Sequence, residues 1–237
     1  MTVFLLTARA LLLRRRSLAL LLAVATVPFF VVLNTLRGDL SPDVQAIIVG
    51  RLLITTVTPL VALVLAVTAI GDERESGTIV YLATSRLSRM QVAGEKALAA
   101  VVCAVVLLLP ALLSIVYLGS RLGVGADNIL RAVAGTVLVA AVYAAVFVAV
   151  GLVLRRALIA GIVYILIWEG AIATVAPSAE RVSLTAWGRA ITDGGLYGLE
   201  EGLVPTLSAT SGAVVLAVCT LAAVLLAGWR LGRMDLP

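Results

Sequence analysis

Six long apolar windows follow one another along this chain of 237 residues, and their length limits what the chain can fold into. A helix that crosses the hydrocarbon core of a bilayer needs about 20 mostly apolar residues. The windows are rich in Leu, Val and Ala without regular polar alternation, which favours helices over the strands of a membrane barrel. We therefore predict an all-α integral membrane protein with six transmembrane helices, approximately Ser17–Leu36, Ala46–Ile70, Ala97–Leu118, Leu130–Leu154, Ala157–Ala176 and Ser208–Trp229.

The composition agrees with a single membrane domain over residues 1–237. Hydrophobic residues make up 62% of the chain and charged residues 13%, against roughly 25% charged residues in a typical soluble domain. No long polar segment is present that would form a separate soluble domain. The basic residues lie mostly at the ends of apolar windows instead of forming a continuous basic face, so we expect membrane lipid, and not nucleic acid, as the surrounding partner.

The distribution of basic residues between the windows predicts the orientation. With a cytoplasmic N-terminus, twelve Lys and Arg residues fall on the cytoplasmic side and six on the other side, and the opposite topology would invert this bias. An even number of spans returns the C-terminus to the cytoplasm. We expect a multi-pass protein of a prokaryotic cell membrane. Residues 1–16, an apolar segment closed by three arginines, are predicted to form an N-terminal helix along the cytoplasmic interface.

Residue types that support catalysis or metal binding are scarce. The chain contains no histidine, and Cys103 and Cys219 each lie within an apolar window without a nearby ligand, so we predict no metal site. The only lysine, Lys96, lies in Gly-Glu-Lys-Ala, whereas a phosphate-binding loop ends in Gly-Lys-Ser/Thr. We therefore expect no catalytic residues, no enzyme activity of the chain itself and no cofactor bound by it.

The cytoplasmic connection between the second and third windows carries the most informative pattern. Ser76-Gly77-Thr78 is a break followed by a hydroxyl that can cap a helix, and the next residues include Ile79, Val80, Leu82 and Leu87. This pattern predicts a short amphipathic helix on the cytoplasmic face. A solvated loop with charged flanks is the alternative, but the embedded apolar side requires lipid or a partner protein to cover it.

This connection resembles that of the membrane permease subunits of type 2 ATP-binding-cassette (ABC) exporters. Those subunits have an acidic pair leading to Gly-Thr, then a Leu-containing helix, a Ser-Arg, and a Gly and Lys that enter the third of six spans. The short chain and the Trp168-Glu169 pair in the fifth window also match. Two positions depart from the family pattern, namely Thr84, where a proline is common, and Glu95, between Gly94 and Lys96. The matching residues are Glu73, Glu75, Gly77, Thr78, Leu82, Ser85, Arg86, Gly94 and Lys96.

The resemblance implies that the connection is a coupling helix on which a cytoplasmic ABC ATPase docks. Two ATPase subunits would bind ATP and Mg²⁺, and a second permease subunit, identical or homologous, would complete the path for export. Glu75 and Arg86 are candidates for ion pairs with the ATPase or within the connection. One alternative is a non-transporting membrane scaffold that relays ATPase-driven motion to an extracytoplasmic partner. A secondary carrier is disfavoured, since no inverted repeat is visible.

Two ionisable residues, Glu169 and Arg51, lie within apolar windows. A charge at the bilayer centre costs at least about 2.5–3.5 kcal/mol, so such groups usually face protein or a water-filled path. Arg51 is expected to snorkel to the interface. For Glu169 we hypothesise a position in the bundle interior that fixes an outer gate, with Arg51 as one candidate partner. A neutral acid hydrogen-bonded to a neighbouring helix is the alternative.

The long outer connection over residues 177–207 leaves its structure open. Trp187 and Tyr197 favour short interfacial helices. The resemblance implies a re-entrant hairpin that plugs the outer end of the path, and an ordinary extracellular loop fits the sequence equally well.

Overall fold

The computed structural model describes residues 2–12, 15–75, 89–154, 156–172, 181–196 and 208–233. Over these ranges the chain is helical, without β-strands. Five helices in them are long and apolar enough to cross a membrane, and a further apolar helix, Ala157–Ile172, is shorter. The structure confirms an all-helical chain with several helices able to span a membrane. The five longer helices are Ser17–Arg37, Pro42–Gly71, Met90–Arg121, Ala126–Val153 and Ala209–Leu231.

The helices follow the predicted windows, and most of them extend beyond a window at one or both ends, whereas the fifth is described only over Ala157–Ile172 of the predicted Ala157–Ala176. Two stretches of π-helix interrupt the α-helices: Leu53–Val57 joins α3 to α4 in one continuous second span, and Tyr164–Ile172 continues α7. The α-helices are α1 Thr2–Leu12, α2 Arg15–Arg37, α3 Pro42–Leu52, α4 Thr58–Glu75, α5 Arg89–Arg121, α6 Ala126–Val153, α7 Ala157–Val163, α8 Leu184–Leu196 and α9 Ala209–Gly232.

Glycines in the left-handed conformation end two of the long helices. Gly38 has φ +70° directly after α2, and its backbone N–H donates to Asn34 O at 2.8 Å. Gly123 has φ +68° after α5. A residue with a Cβ is strained in this conformation, so glycine allows the chain to turn sharply there. Both turns are short, and each long helix is followed at once by the next.

Helix α6 lies at the centre of the bundle. It packs against α4, α5, α8 and α9, and its side chains Val139, Tyr143 and Ala144 are fully buried. Helices α2 and α9 lie at the rim, because each buries only a small part of its apolar window. Their outer faces carry apolar stripes at helical spacing, as expected of surfaces that face lipid tails. These stripes are Leu18, Leu22, Phe29 and Leu36 on α2, and Val214, Val218, Leu221 and Leu225 on α9.

The N-terminal helix α1 is present and is held against α5. The backbone N–H of Phe4 donates to Glu95 Oε2 at 3.0 Å, so this carboxylate satisfies one of the free N–H groups of the first turn of α1. Leu11 is buried against the bundle, whereas Leu5 and Leu6 are exposed. Helix α1 therefore has one side that contacts protein and an apolar side that faces outwards.

We expect Glu95→Ala to loosen α1 without unfolding the bundle, because the substitution removes the acceptor for Phe4 N–H and leaves the core unchanged. Hydrogen–deuterium exchange should become several-fold faster over residues 4–8 and stay unchanged over α6. Glu95→Gln keeps one acceptor oxygen and should lie between the two. Equal exchange over α1 in wild type and Glu95→Ala would contradict this role.

Candidate functional site

Glu169 is fully buried and its carboxylate accepts hydrogen bonds from five groups. Every donor is a hydroxyl or a backbone N–H, groups that can donate to the oxygens of a carboxyl group. Oε1 accepts from Tyr143 OH at 2.6 Å, Tyr164 OH at 3.0 Å and Leu184 N at 3.1 Å, and Oε2 accepts from Ser183 Oγ at 2.5 Å and Thr185 Oγ1 at 2.6 Å. We call these five residues with Glu169 the carboxylate cluster.

The N-terminus of α8 supplies three of the five donors. Ser183 precedes the first residue of the helix, and its Oγ also accepts from Ala186 N at 3.0 Å, the geometry of an N-cap. The free N–H groups and the dipole of a helix N-terminus favour a negative charge nearby. The Glu169 carboxylate is therefore stabilised by a helix end and by hydroxyls, and among the described residues no basic side chain donates to it.

The cluster lies in the interior of the bundle, nearer the end of the central helix α6 than its start. Tyr143 is ten residues before Val153, the end of α6, a distance of about 15 Å at the rise of an α-helix. From this depth α8 runs along α6 towards the start of α6: Gly188 lies against Val139, and Gly135 of α6 lies against Thr192. Helix α8 thus begins inside the bundle and runs towards one end of it.

The position of α8 bears on the outer connection, for which the sequence allowed short interfacial helices, a re-entrant hairpin or an ordinary loop. Over residues 184–196 the connection is neither an ordinary loop nor a helix lying on the surface, because Thr185, Ala186, Ala190 and Thr192 are buried in the bundle. The other residues of the connection, 177–180 and 197–207, lie outside the described ranges.

The two π-helical stretches meet beside the cluster. Leu53–Val57 of the second span contacts Tyr164–Ile172, which carries Glu169, and also contacts α8. Thr58, the residue after the first stretch, is fully buried, and its Oγ1 has no hydrogen-bond partner among the described residues. π-Helical turns are rare in proteins, and those that occur are often found at functional sites. The second span, α7 and α8 therefore converge where the helical geometry is least regular.

Arg51 is not among the donors to Glu169. Its side chain is exposed, whereas Glu169 is fully buried, so the pairing suggested from the sequence is replaced by hydroxyls and a backbone N–H. A cation is unnecessary because several donors can together stabilise a buried carboxylate. The exposure of Arg51 agrees with a side chain that reaches towards the interface.

The predicted coupling residues fall largely outside the structure. Residues 76–88, which include Gly77, Thr78, Leu82, Ser85 and Arg86, lie outside the described ranges. Glu73 and Glu75 belong to the last turns of α4, and Gly94 and Lys96 belong to the first turns of α5. Helices α4 and α5 thus continue into the predicted connection from both sides.

Lys96 joins the second and third spans at the base of that connection. Its side chain is 3% exposed, and Nζ donates to the backbone oxygen of Ala69 at 3.3 Å. An ammonium buried among helices is costly unless it is hydrogen-bonded, so this bond offsets part of the cost and links α5 to the backbone of α4. A movement of the connection would therefore reach both spans together.

No protein-family model matches the chain, and no curated protein matches it significantly. Among the described residues no group of three or more His, Cys, Asp or Glu side chains could hold a metal ion.

Proposed function

We propose that this chain is the permease subunit of an ABC exporter, with six spans, both termini in the cytoplasm and a coupling helix between the second and third spans. Two cytoplasmic ATPase subunits would bind ATP and Mg²⁺, and a second permease, identical or homologous, would complete the transmembrane path. The proposal comes from the resemblance of the Glu73–Lys96 stretch to this class of permease. The shorter helix Ala157–Ile172 would belong to the fifth span.

The observation that carries the proposal is the position of Lys96 at the base of the connection. ATP binding would close the ATPase pair and push on residues 78–86, and such a push does mechanical work only if the connection is rigidly joined to the spans. The contact from Lys96 Nζ to Ala69 O and the extension of α4 to Glu75 supply that rigid joint. Together with α6, these helices would transmit the movement to the carboxylate cluster.

In this proposal α8 would take part in alternating access at the end of the bundle away from the connection. It begins inside the bundle, where Leu184 N donates to Glu169, and in this proposal it would plug the outer half of the path. Opening an outer gate would require α8 to move, and the π-helical stretches on two sides of it offer a place where helices can shift. The substrate is exported in this proposal; its contacts would lie on span faces at the seam between two permeases.

The test is whether an ATPase subunit binds this chain through the connection. The tagged chain, purified from its own membranes, should bring with it an activity that hydrolyses Mg²⁺-ATP. Arg86→Glu reverses one candidate docking charge and should reduce the recovered activity about tenfold, equivalent to about 1.4 kcal/mol. Arg131→Glu is the matched control, since Arg131 is an exposed arginine at the far end of α6, and it should leave recovery unchanged.

Two results would contradict the proposal: absence of ATPase activity from the purified complex, or equal losses for Arg86→Glu and Arg131→Glu. Reconstitution in liposomes separates the exporter from the scaffold. Hydrolysis stimulated by a transported compound supports export, whereas hydrolysis stimulated only by an extracytoplasmic protein supports the scaffold.

A further inference from the structure

An apolar cavity of about 500 Å³ lies between α2 and α5 and opens outwards. Each helix contributes a proline from its interior, Pro28 and Pro110, together with residues that are strongly exposed, including Val32 and Leu113. Proline removes a helical N–H and its ring prevents straight, close packing of the chain before it, which leaves room between helices. The volume is within the range of about 300–1,000 Å³ that is usual for ligand pockets.

A second cavity of about 400 Å³ adjoins the first, and its lining is mixed, with polar side chains such as Asn34, Ser41 and Gln45 beside apolar ones. Thr35 and Tyr117 line both cavities, so the two spaces are neighbours at the end of the bundle where α2 turns into α3. Of the described residues that line the second cavity, Arg121 alone carries a charge, and its side chain is exposed. An anion is therefore the ligand group that this cavity favours.

Gln45 gives the second cavity a buried hydrogen-bond acceptor without a donor among the described residues. It is 3% exposed, its Nε2 donates to Leu40 O at 2.9 Å, and its buried Oε1 has no hydrogen-bond partner among the described residues. Buried polar atoms are almost always hydrogen-bonded in folded proteins. Because Gln45 lines the cavity, a hydroxyl placed there would supply the missing donor after a small adjustment of the side chain.

We infer that the two cavities form one binding site for an anionic membrane phospholipid whose headgroup carries hydroxyls, as in phosphatidylglycerol. One acyl chain lies in the apolar cavity between Pro28 and Pro110, the phosphate lies near Arg121, and a headgroup hydroxyl reaches Gln45. The exposed rim at Val32 and Leu113 lets the chain enter sideways from the bilayer. The lipid thus occupies the leaflet on the side of the turn between α2 and α3.

The experiment measures lipid bound to the full chain after removal of native lipid in detergent. Native mass spectrometry with added dioleoyl-phosphatidylglycerol should show one saturable lipid per chain, bound at least tenfold more tightly than dioleoyl-phosphatidylcholine. Arg121→Gln should abolish that preference, and Val32→Trp should block binding by filling the apolar cavity. Inorganic phosphate, which carries the charge without the chain, should not displace the lipid.

Matched controls separate this site from ordinary lipid around the bundle. Arg131→Gln and Val218→Trp alter an exposed arginine and an exposed valine elsewhere and should leave lipid binding unchanged. Val32 and Arg121 are exposed, so their substitution should not prevent folding, and an unchanged thermal midpoint without lipid would verify this. Equal binding of both lipids, or equal effects of Arg121→Gln and Arg131→Gln, would overturn the inference. It would also be overturned if Val32→Trp dissociates a dimer without altering lipid binding, since the groove would then receive a second copy of the chain.

Discussion

Glu169→Leu is expected to destabilise the protein by about 3–5 kcal/mol, because several buried donors lose their acceptor at once. The leucine would leave four hydroxyls of the cluster and Leu184 N–H without their acceptor, and each unsatisfied buried group costs about 1–3 kcal/mol. Ser183 Oγ and Thr185 Oγ1 lie 3.1 Å apart and can recover part of this loss by bonding each other. Unfolding by SDS or heat in detergent measures the change.

Glu169→Gln separates charge from shape at the same position. The amide keeps one acceptor oxygen but turns an NH₂ group towards donors, so we expect a loss of about 1–3 kcal/mol and impaired transport. Exchange of the Leu184 amide should rise more than exchange over α6, because that N–H donates to the carboxylate. Asp127→Asn, at an exposed carboxylate in the first turn of α6, is the control and should cost less than about 1 kcal/mol. Unchanged stability, exchange and transport in Glu169→Gln would contradict the role of the cluster.

The sequence predicts the spans because the bilayer imposes a length on apolar helices. It does not predict where those helices end, since a helix in water beyond the membrane keeps its hydrogen bonds and can continue. Helix α4 runs on to Glu75, beyond the predicted end at Ile70, and α5 begins at Arg89, before the predicted start at Ala97. Gly38 and Gly123 set the C-terminal ends of α2 and α5 more sharply, because glycine allows the turn that stops a helix.

The buried carboxylate could be found from the sequence, but its partners could not. A short acidic side chain in an apolar window must be satisfied internally, and this follows from the cost of burial alone. Tyr143, Ser183 and Thr185 come from two other elements, 14 to 26 residues away in sequence. No local sequence pattern links these residues. They come together because α8 packs beside α6. The expectation of a basic partner failed because a helix N-terminus supplied the compensating donors.

A helix in the outer connection was among the structures predicted, but the burial of α8 inside the bundle was not fixed by the sequence, for a related reason. Its sequence contains Gly188 and few long apolar runs, which is typical of a loop when it is considered alone. The small residues are instead what allows the helix to lie close to its neighbours: a Cβ at Gly188 would clash with Val139 of α6. Close approach through glycine is a common means of packing helices in membranes, where lipid gives no hydrophobic drive for association.

Gly212→Leu is the second large effect that we expect, because α9 approaches the backbone of α8 at this residue. A Cβ at Gly212 would lie 2.7 Å from Trp187 O and 3.3 Å from Ile191 Cγ1. A backbone oxygen cannot rotate away, so even alanine must separate α8 from α9, at about 1–3 kcal/mol, and leucine at more. Gly71→Ala is the control: nothing lies within 4 Å of its Cβ, and helix propensity predicts a gain of about 0.5–1 kcal/mol.

Combining Gly212→Leu with Glu169→Gln tests whether the two sites act on the same helix. If Gly212→Leu displaces α8, it already weakens the bonds that Leu184 N, Ser183 and Thr185 donate to Glu169. The double variant should then lose less stability than the sum of the single variants, by about 0.5–3 kcal/mol, as residues in one network do. Strict additivity would mean that α9 holds α8 independently of the carboxylate. In that case movement of α8 would not require Glu169 to release it, and the role of the cluster as the anchor of an outer gate would fail.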